Sequence, residues 1–329
     1  MRALVTGATG FLGKALSMRL QQLGWKVTAT GRNRTIGKVL EEQGIMFRPS
    51  PLENRKEIIA LCQEQDYVFH CGALSSPWGK YAQFYQANVI GTRNVIEGCI
   101  ESQVKRLIHV STPSIYFSFQ DRLNVKETDP LPNKMVNHYA STKQLAELEV
   151  DQAFSQGLET ITIRPRALFG PEDQTILPRL LKANEKKMVP LINNGRALID
   201  LTYIENVVDA LLLCVDAPKT SLGKKFNITN GEPVYLIEVL EKLFNKLQSP
   251  FYGKAISFGS AYRIAALLEL LSKTILLGKE PTLTRYTVGV LGVSQTLDIS
   301  AAKRELGYRP RVSIEEGVDH FVHWWRKQR

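Results

Sequence analysis

Metal-site and disulfide patterns are missing from the sequence. Its four cysteines, Cys62, Cys71, Cys99 and Cys214, are scattered over 329 residues and form no C-x-x-C pair. That spacing argues against a zinc site and against a disulfide framework. We therefore expect no bound metal, and we expect buried free thiols in a reducing compartment.

Long uncharged apolar runs, low-complexity tracts and internal repeats are missing as well. No run approaches the roughly 18 apolar residues that a membrane-spanning helix needs. Residues 1–6 have the pattern of a β-strand rather than that of a signal peptide. The expected location is the cytoplasm.

Acidic residues are the minority charge, with 32 Asp and Glu against 42 Lys and Arg and a net charge of +10. The basic residues are dispersed, apart from a short cluster at Arg326, Lys327 and Arg329. Dispersed positive charge favours a solvated surface or small anionic ligands, so no nucleic-acid partner is expected. The 44% hydrophobic and 22% charged fractions are typical of a globular protein with a sizeable core.

Apolar segments rich in β-formers alternate with helical patterns in the first half of the chain, as in βαβ units around a parallel sheet. The predicted strands are residues 3–6, 26–30, 67–71, 106–111 and 159–164, and the predicted helices are 12–23, 82–102 and about 138–154. After Pro165 the alternation loosens. Strands are predicted there at 200–203 and 225–229, and helices at 204–214 and 236–247.

These patterns predict an α/β fold: a Rossmann-type doubly wound parallel sheet with a smaller, partly split C-terminal substrate lobe. We expect residues 1–165 to bind the cofactor, together with returning segments at about 196–230. Residues 166–329 are expected to form mainly the substrate-binding lobe.

A glycine-rich turn directly follows the first predicted strand and opens a helix. In Thr6-Gly7-Ala8-Thr9-Gly10-Phe11-Leu12-Gly13, Gly7 would form the tight turn and Gly10 would admit a pyrophosphate close to the backbone. Gly13 would let the helix pack against the strand. The helix N-terminus offers free N–H groups and a positive dipole end, so the spacing predicts a dinucleotide site.

The end of the second predicted strand bears on the choice of nicotinamide cofactor. Enzymes that use NAD place an Asp or Glu there, about 20 residues after the glycines. Gly31 occupies that position here and Arg32 follows, with Arg34 and Lys38 nearby. Arg32 could pair with a 2′-phosphate that a carboxylate would repel, so the sequence favours NADP(H) over NAD(H).

Two further segments supply catalytic chemistry. The predicted strand 106–111 leads into two hydroxyl residues, Ser111 and Thr112, and Tyr139 and Lys143 are four residues apart in a helical pattern. A neighbouring ammonium lowers the pKa of a phenol. Tyr139 is expected to exchange a proton with the substrate oxygen while Lys143 also holds the nicotinamide ribose. Thr112 is expected to hydrogen-bond the same substrate oxygen.

Together these motifs resemble the extended short-chain dehydrogenases/reductases, the NAD-dependent epimerase/dehydratase superfamily, over nearly the whole chain. The resemblance implies a catalytic set of Thr112, Tyr139 and Lys143, with Ser111 as a supporting hydroxyl and Asn88 as a structural residue. It implies a cofactor-binding set of Gly7, Thr9, Gly10, Phe11, Leu12, Gly13, Arg32, Asn33, Leu52, Gly72, Ala73, Asn88, Ser111, Tyr139, Lys143, Pro165, Ala167 and Leu168. A homodimer through the helices that precede Thr112 and contain Tyr139 is expected on the same ground.

Three departures separate this chain from the sugar-nucleotide enzymes that it resembles. Pro113 and Ser114 follow the catalytic Thr where related dehydratases have Asp and Glu. Ile199 stands where an Arg would hold a sugar-nucleotide diphosphate. Asn206 replaces an Asp, as in the 3β-hydroxysteroid dehydrogenase branch.

Longer stretches, among them residues 111–114, 164–166 and 230–233, resemble the bacterial 2-alkyl-3-oxoalkanoate reductases. The leading hypothesis is therefore NADP(H)-dependent interconversion of a ketone and a secondary alcohol on a bulky hydrophobic substrate, a 3-oxoalkanoate or 3β-hydroxysteroid-like molecule. The alternative is an NDP-sugar epimerase or dehydratase with tightly bound NAD(P). A non-enzymatic binding module is disfavoured because the catalytic set is intact.

An apolar stripe lies in residues 261–277, at Ile264, Leu267, Leu268, Leu271 and Ile275. The favoured interpretation is a helix that faces the core of its own lobe. The alternatives are a helix that covers the substrate and one that makes weak contact with a membrane surface, for which the off-stripe Leu270 and Leu276 would widen the apolar face. Trp78, in the loop after the third predicted strand, is either a wall of the pocket or a packing residue.

Overall fold

The computed structural model describes residues 1–173, 175–275 and 278–328. The expectations for Leu276, for residue 277 and for Arg329 lie outside these residues. The strands are β1 (Arg2–Thr6), β2 (Lys26–Gly31), β3 (Met46–Pro49), β4 (Tyr67–His70), β5 (Arg106–Val110), β6 (Arg122–Val125), β7 (Thr160–Pro165), β8 (Leu168–Phe169), β9 (Val189–Ile192), β10 (Leu198–Ile199), β11 (Thr202–Tyr203), β12 (Lys225–Ile228), β13 (Val234–Tyr235), β14 (Gly253–Ile256) and β15 (Gln295–Leu297).

Helices alternate with these strands along the chain. They are α1 (Phe11–Gln22), α2 (Arg34–Glu42), α3 (Arg55–Cys62), α4 (Tyr81–Phe84), α5 (Gly91–Glu101), α6 (His138–Ser155), α7 (Leu177–Glu185), α8 (Ile204–Leu213), α9 (Leu236–Lys246), α10 (Phe258–Thr274), α11 (Arg285–Gly292) and α12 (Ile314–Lys327). One π-helical segment, Tyr85–Ile90, joins α4 to α5, and a 3₁₀ turn, Pro113–Tyr116, follows β5.

Seven parallel strands form the central sheet in the order β12-β7-β5-β4-β1-β2-β3. Strands β4 and β7 are buried along their whole length, because helices cover both faces of the sheet. From β1 the chain first adds β2 and β3 on one side of the sheet and then returns to add β4 on the other side, so β1 pairs with both β2 and β4. The carboxyl ends of β1 and β4 therefore flank the crevice where such sheets bind ligands.

The remaining strands form smaller sheets, of which the largest has the order β13-β10-β15-β6. Strand β12 returns from the second half of the chain to the edge of the main sheet, where it pairs with β7. Strand β6 belongs to the first half of the chain, before residue 165, but it pairs with β15 of the smaller lobe. Each half of the chain therefore contributes one strand to the sheet that is formed mainly by the other half, β12 to the main sheet and β6 to the smaller one.

The predicted α/β class is confirmed, as are the six predicted strands of the main sheet, whose ends differ by at most one residue. Segment 82–102 is helical but interrupted by the π-helical turn at Tyr85–Ile90. Of the predicted strand 200–203, only Thr202 and Tyr203 form a strand, β11, and Asp200 and Leu201 lie between it and β10. Elements β3, α2 and α3 were not predicted. For β3 the reason is that the strand is short and that only Phe47 in it is buried.

The favoured interpretation of the 261–277 stripe is wrong. On α10 the buried side chains are small or polar, Ala261, Ala265, Glu269 and Ser272. The apolar Ile264, Leu267, Leu270 and Ile275 are between 47% and 67% exposed. The physical reason is that α10 packs against α11 through its small residues, and Glu269 is held in that interface by Arg285 at 2.8 Å.

Within residues 1–173, 175–275 and 278–328, every helix is too short or too polar to cross a membrane. His70, interpreted from the sequence as a packed core residue, is fully buried and hydrogen-bonded to Thr6 at 2.7 Å and to Thr92 at 2.9 Å.

Candidate active site

The glycine-rich turn joins β1 to α1 at the crevice of the main sheet. Gly7 adopts a φ of +66°, and a Cβ there would lie 2.5 Å from the Cα of Gly72, which follows β4. Both the dihedral and the close approach require glycine. The turn thus brings the two strand ends together at the point where the sequence predicts a pyrophosphate.

The first turn of α1 is built to receive an anion. Its N-cap is Gly10, which offers no capping side chain, and no acidic residue lies in that turn. The amide groups of Phe11, Leu12 and Gly13 begin the helix, so its positive dipole end lies at the glycine turn beside the crevice. Together with Thr9 these residues fit the phosphates of a dinucleotide.

The end of β2 explains why no carboxylate stands there. A Cβ at Gly31 would lie 2.9 Å from the Cγ2 of Thr9, so the glycine turn occupies the space of any side chain. Arg32 and Arg34 are exposed beside it. The side-chain oxygen of Asn33 caps α2, because it accepts hydrogen bonds from Thr35 N at 3.0 Å and Ile36 N at 3.2 Å.

Other members of the expected cofactor set line the same edge of the sheet. Leu52 packs against Gly72, where a Cβ would lie 3.0 Å from its Cδ1. The Ser111 hydroxyl is buried and, among the described residues, has no hydrogen-bond partner. An orphaned buried hydroxyl at the end of β5 fits a polar group of a bound nicotinamide nucleotide.

The segment after β7 has a shaped backbone. Pro165 ends the strand, and Ala167 adopts a φ of +43°, which is uncommon for a residue with a Cβ. The carbonyl of Ala167 accepts a hydrogen bond from Thr202 N at 3.1 Å, which ties this turn to β11. Ala73 and Leu168 are half-buried on the same edge of the sheet.

Asn88 braces the site from the π-helical segment. Its side chain bonds Leu74 N at 2.7 Å, Leu74 O at 3.1 Å and the Thr142 hydroxyl at 3.0 Å. Its side-chain amide is therefore engaged by the protein itself, between the loop after β4 and helix α6. π-helical turns occur frequently at functional sites, and this one aims Asn88 into the gap.

Helix α6 carries the two central residues of the expected catalytic set. Asn137 caps the helix by accepting from Ala140 N at 2.8 Å, and Tyr139 and Lys143 lie one turn apart on the inner face. Burial raises the pKa of Tyr139, and the hydroxyls of Thr112 and Ser75 oppose that shift. The phenol therefore carries its proton at neutral pH and lies beside the Thr112 hydroxyl, as the sequence predicts.

Lys143 is almost completely buried, with 1% of its surface exposed. Its ammonium donates to Val110 O at 2.8 Å and lies 3.2 Å from the Nε2 of His109. Burial lowers the pKa of Lys143 to about 8, although Glu147 one turn further along α6 opposes that shift. The expectation that the pKa of Tyr139 is lowered by Lys143 is wrong for this structure, because burial raises that pKa and Lys143 is not among the groups that act on it.

A chain of hydroxyl groups leads from Thr112 into the smaller lobe. Thr112 donates to the Ser114 hydroxyl at 3.0 Å, and the Ser114 hydroxyl lies 2.9 Å from that of Tyr286 on α11. Sequence reasoning missed Tyr286, because nothing in the pattern around residue 286 indicates that it reaches a residue 172 positions earlier. Ser114 was noted only as a residue that cannot act as an acid or base.

Trp78 joins the loop after β4 to the segment that follows α10. Its indole N–H donates to Gly278 O at 3.0 Å, and the ammonium of Lys273 lies 5.5 Å from its ring centre. These contacts hold the loop that also carries Ser75, whose hydroxyl acts on the pKa of Tyr139. The role of Trp78 as a pocket wall stays a prediction.

Comparisons with known proteins give the family. The sequence profile of the NAD dependent epimerase/dehydratase family matches residues 3–229. The chain is 36% identical to a 2-alkyl-3-oxoalkanoate reductase of Stenotrophomonas maltophilia, over 97% of both chains. It is 33% identical to a mouse sterol-4-alpha-carboxylate 3-dehydrogenase, decarboxylating, over 100% of this chain and 92% of that one.

The fold is shared with solved structures of lower sequence similarity. UDP-glucuronic acid 4-epimerase from Bacillus cereus, solved in complex with NAD, superposes with a TM-score of 0.79 at 20% identity. The alignment covers 100% of this chain and 99% of the epimerase chain. At this identity the likeness concerns the fold alone.

Proposed function

The chain belongs to the NAD dependent epimerase/dehydratase family and is an NAD(P)-dependent enzyme, and from this premise we propose that it interconverts a ketone and a secondary alcohol on a bulky hydrophobic substrate. The observation that carries the proposal is the protonated Tyr139 phenol beside Thr112, which follows β5 at the same carboxyl edge of the sheet as the glycine turn after β1. A ketone oxygen placed between these two hydroxyls would meet one proton donor and one further hydrogen-bond donor.

Tyr139, Thr112 and Lys143 have different roles in the proposed reaction. A bound nicotinamide cofactor supplies the hydride. Tyr139 donates its proton to the substrate oxygen as negative charge develops there, and Thr112 stabilises the same oxygen by a hydrogen bond. Lys143, held by Val110 O and His109 under the site, supplies positive charge and a donor to the ribose. In the reverse direction Tyr139 accepts the alcohol proton.

We propose NADP(H) as the preferred cofactor. Gly31 leaves no room for a carboxylate, and the exposed guanidinium groups of Arg32 and Arg34 are free to reach a 2′-phosphate beside β2. Arg32→Ala should weaken the binding of NADPH about tenfold or more and leave that of NADH nearly unchanged. Equal losses for both cofactors, measured by fluorescence titration, would refute this role.

We assign cofactor binding to residues 1–165 with the returning segment 196–230, and substrate binding mainly to the rest of the chain. The substrate class follows from three points. The relatives are named for an oxoalkanoate and for a sterol carboxylate. Trp78 is a large aromatic side chain in the loop that carries Ser75, whose hydroxyl acts on Tyr139. Ile199, 8% exposed, gives a sugar-nucleotide diphosphate no cation at the position where epimerases have one.

The direct test is oxidation of NADPH and NADH at 340 nm against long-chain 3-oxo acids, ketosteroids and long-chain ketones. Turnover with any of these ketones supports the proposal. The competing function is epimerisation of an NDP-sugar with a retained cofactor. Protein that copurifies with nicotinamide, turns over none of the ketones and epimerises a UDP-sugar would establish that function instead.

We further propose that the chain forms a homodimer through α5 and α6. Three large apolar side chains on these helices, Ile100, Leu148 and Phe154, are 40–55% exposed. A pair of helices with exposed apolar residues can form a four-helix interface with its copy. Light scattering after gel filtration should give twice the 37.0 kDa chain mass, and Leu148→Glu should give the monomer.

We also propose a weak contact between α10 and an anionic membrane surface. Its exposed Ile264, Leu267 and Leu270 are flanked by the exposed basic residues Arg263 and Lys273. Apolar residues between cations suit the boundary of an anionic bilayer. Flotation with vesicles that contain phosphatidylglycerol should carry the wild type and not Leu267→Glu. Failure of the wild type to float would contradict the proposal.

A further inference from the structure

Two buried arginines flank Pro165, and they differ in their partners. Arg164 is 3% exposed and binds the Glu147 carboxylate, with 2.8 Å between its Nε and Glu147 Oε1. Arg166 is 5% exposed, and the hydrogen bond of its guanidinium goes to the neutral side chain of Gln295. Within residues 1–173, 175–275 and 278–328, no ion pair of 4.0 Å or less joins Arg166 to a carboxylate.

A buried guanidinium that lacks a paired anion lowers the stability of a fold, whereas an apolar side chain of similar size would be neutral or stabilising there. Asp200 is an acidic group whose charge acts on Arg166, and among the described residues one of its oxygens lacks a hydrogen-bond partner. Burial lowers the pKa of Arg166, but at neutral pH the group stays charged. Among the described residues, the guanidinium of Arg166 therefore has no carboxylate at ion-pair distance, and Asp200 acts on it only from farther away.

The position of Arg166 relates this charge to the reaction site. It follows β7 directly, next to β5, which leads into Ser111 and Thr112; the register pairs Val110 with Ile163. Tyr286 lies near enough to influence the pKa of both Arg166 and Tyr139, and its hydroxyl is 2.9 Å from that of Ser114. Tyr286 therefore acts electrostatically on both Arg166 and the proton donor Tyr139.

From this juxtaposition we propose that Arg166 binds a carboxylate of the substrate, so that the enzyme selects 3-oxo acids and 3-hydroxy acids over uncharged ketones and alcohols. The inference rests on the proposed ketone–alcohol activity. In a 3-oxo acid the carboxylate is only two bonds from the ketone carbon, so one molecule could reach both Tyr139 and a nearby guanidinium. A planar guanidinium can hold a carboxylate with two parallel hydrogen bonds.

The test compares 3-hydroxydodecanoic acid with its methyl ester, which keeps the chain and the alcohol but removes the charge. The assay runs in the direction of oxidation, because the hydroxy acid is a chemically stable substrate. The NADPH or NADH that forms from NADP⁺ or NAD⁺ is followed at 340 nm. For the wild type, kcat/KM should be higher for the acid. Arg166→Met should lower kcat/KM for the acid roughly 100-fold and that for the ester by less than about threefold.

Two further variants separate charge from packing. Arg166→Lys keeps the charge without the planar fork, and it should retain part of the preference for the acid. Gln295→Met removes the neutral partner of Arg166, and it should retain the preference in full. Calorimetric titration of the acid in the presence of NADP⁺ should show the same order of affinities without turnover, and it remains informative for a variant that is folded but slow.

The outcomes are distinct. Equal losses for acid and ester in Arg166→Met, or a wild type with no preference for the acid, would overturn the carboxylate site and leave the ketone–alcohol activity standing. A wild type that turns over neither the acid, the ester nor any ketone would overturn the proposed function and this inference with it. Loss confined to the acid, with partial retention in Arg166→Lys, supports the site.

Discussion

Asp200 offers a quantitative test of the electrostatics between the two lobes. It is 1% exposed, its Oδ2 accepts from Leu297 N at 2.6 Å, and its Oδ1 has no partner among the described residues. Burial raises the pKa of Asp200 from 3.8 to about 6, against the lowering effects of Leu297 N and Arg166. The folded state therefore holds a proton that the unfolded chain releases between pH 4 and pH 6.

Because the folded pKa is the higher one, the carboxyl contributes most stability at low pH and loses it as the pH rises through about 6. A shift of about two units corresponds to about 3 kcal/mol, of which about 2 kcal/mol falls between pH 4.5 and pH 7.5. Asp200→Asn keeps the shape and an acceptor for Leu297 N but cannot titrate. Relative to this variant, the wild type should lose about 2 kcal/mol of unfolding free energy over that interval.

The assay is urea denaturation of both proteins at pH 4.5 and pH 7.5. Subtracting the unfolding free energy of the variant from that of the wild type at each pH removes the contributions of the other titrating groups, which the two proteins share. The midpoints and slopes give the free energies. A stability difference between variant and wild type that is the same at both pH values would refute the reasoning, because Asp200 would then titrate alike in the folded and unfolded states.

Three other predictions follow from the site. Gly7→Ala should lower the free energy of unfolding by about 3 kcal/mol and weaken cofactor binding as well, because the added Cβ would meet Gly72. A variant with the melting temperature of the wild type would contradict this. Ser114→Ala should lower kcat about tenfold without changing cofactor affinity in a fluorescence titration, because it breaks the link from Thr112 to Tyr286. The unfolding free energy of wild type relative to Lys143→Met should rise as the pH goes from 7 to 10, because the folded pKa of Lys143 is lowered to about 8 and deprotonation removes the cost of its buried charge; a pH-independent difference between their denaturation curves would argue against that cost.

The sequence predicts those parts of the fold that depend on local pattern. Strands β1 and β4 of the main sheet contain continuous apolar runs, and the turn at Gly7, Gly10 and Gly13 has the spacing that a strand–turn–helix crossing requires. Tyr139 and Lys143 share a helix face because they are four residues apart. Each of these inferences needs fewer than about twenty neighbouring residues.

What the sequence could not predict depends on distant pairing. Strand β6 lies before residue 165 but pairs with β15, and Tyr286 meets Ser114 from the other lobe. The apolar residues of α10 were expected to be buried, but its small residues and Glu269 form the packed face. Periodicity identifies the two faces of a helix, but it does not say which one finds a partner. The two arginines around Pro165 look alike in sequence and differ only in whether a carboxylate reaches them.

The most direct test of the central claim is Tyr139→Phe, assayed for both turnover and cofactor binding. Removal of the phenolic oxygen takes away the proton donor without altering the glycine turn, so turnover of the best ketone should fall by roughly 1000-fold. The affinity for NADPH, measured by fluorescence titration, should stay within about twofold of wild type. Retained turnover in this variant, or a loss of turnover that merely follows a loss of NADPH binding, would contradict the account.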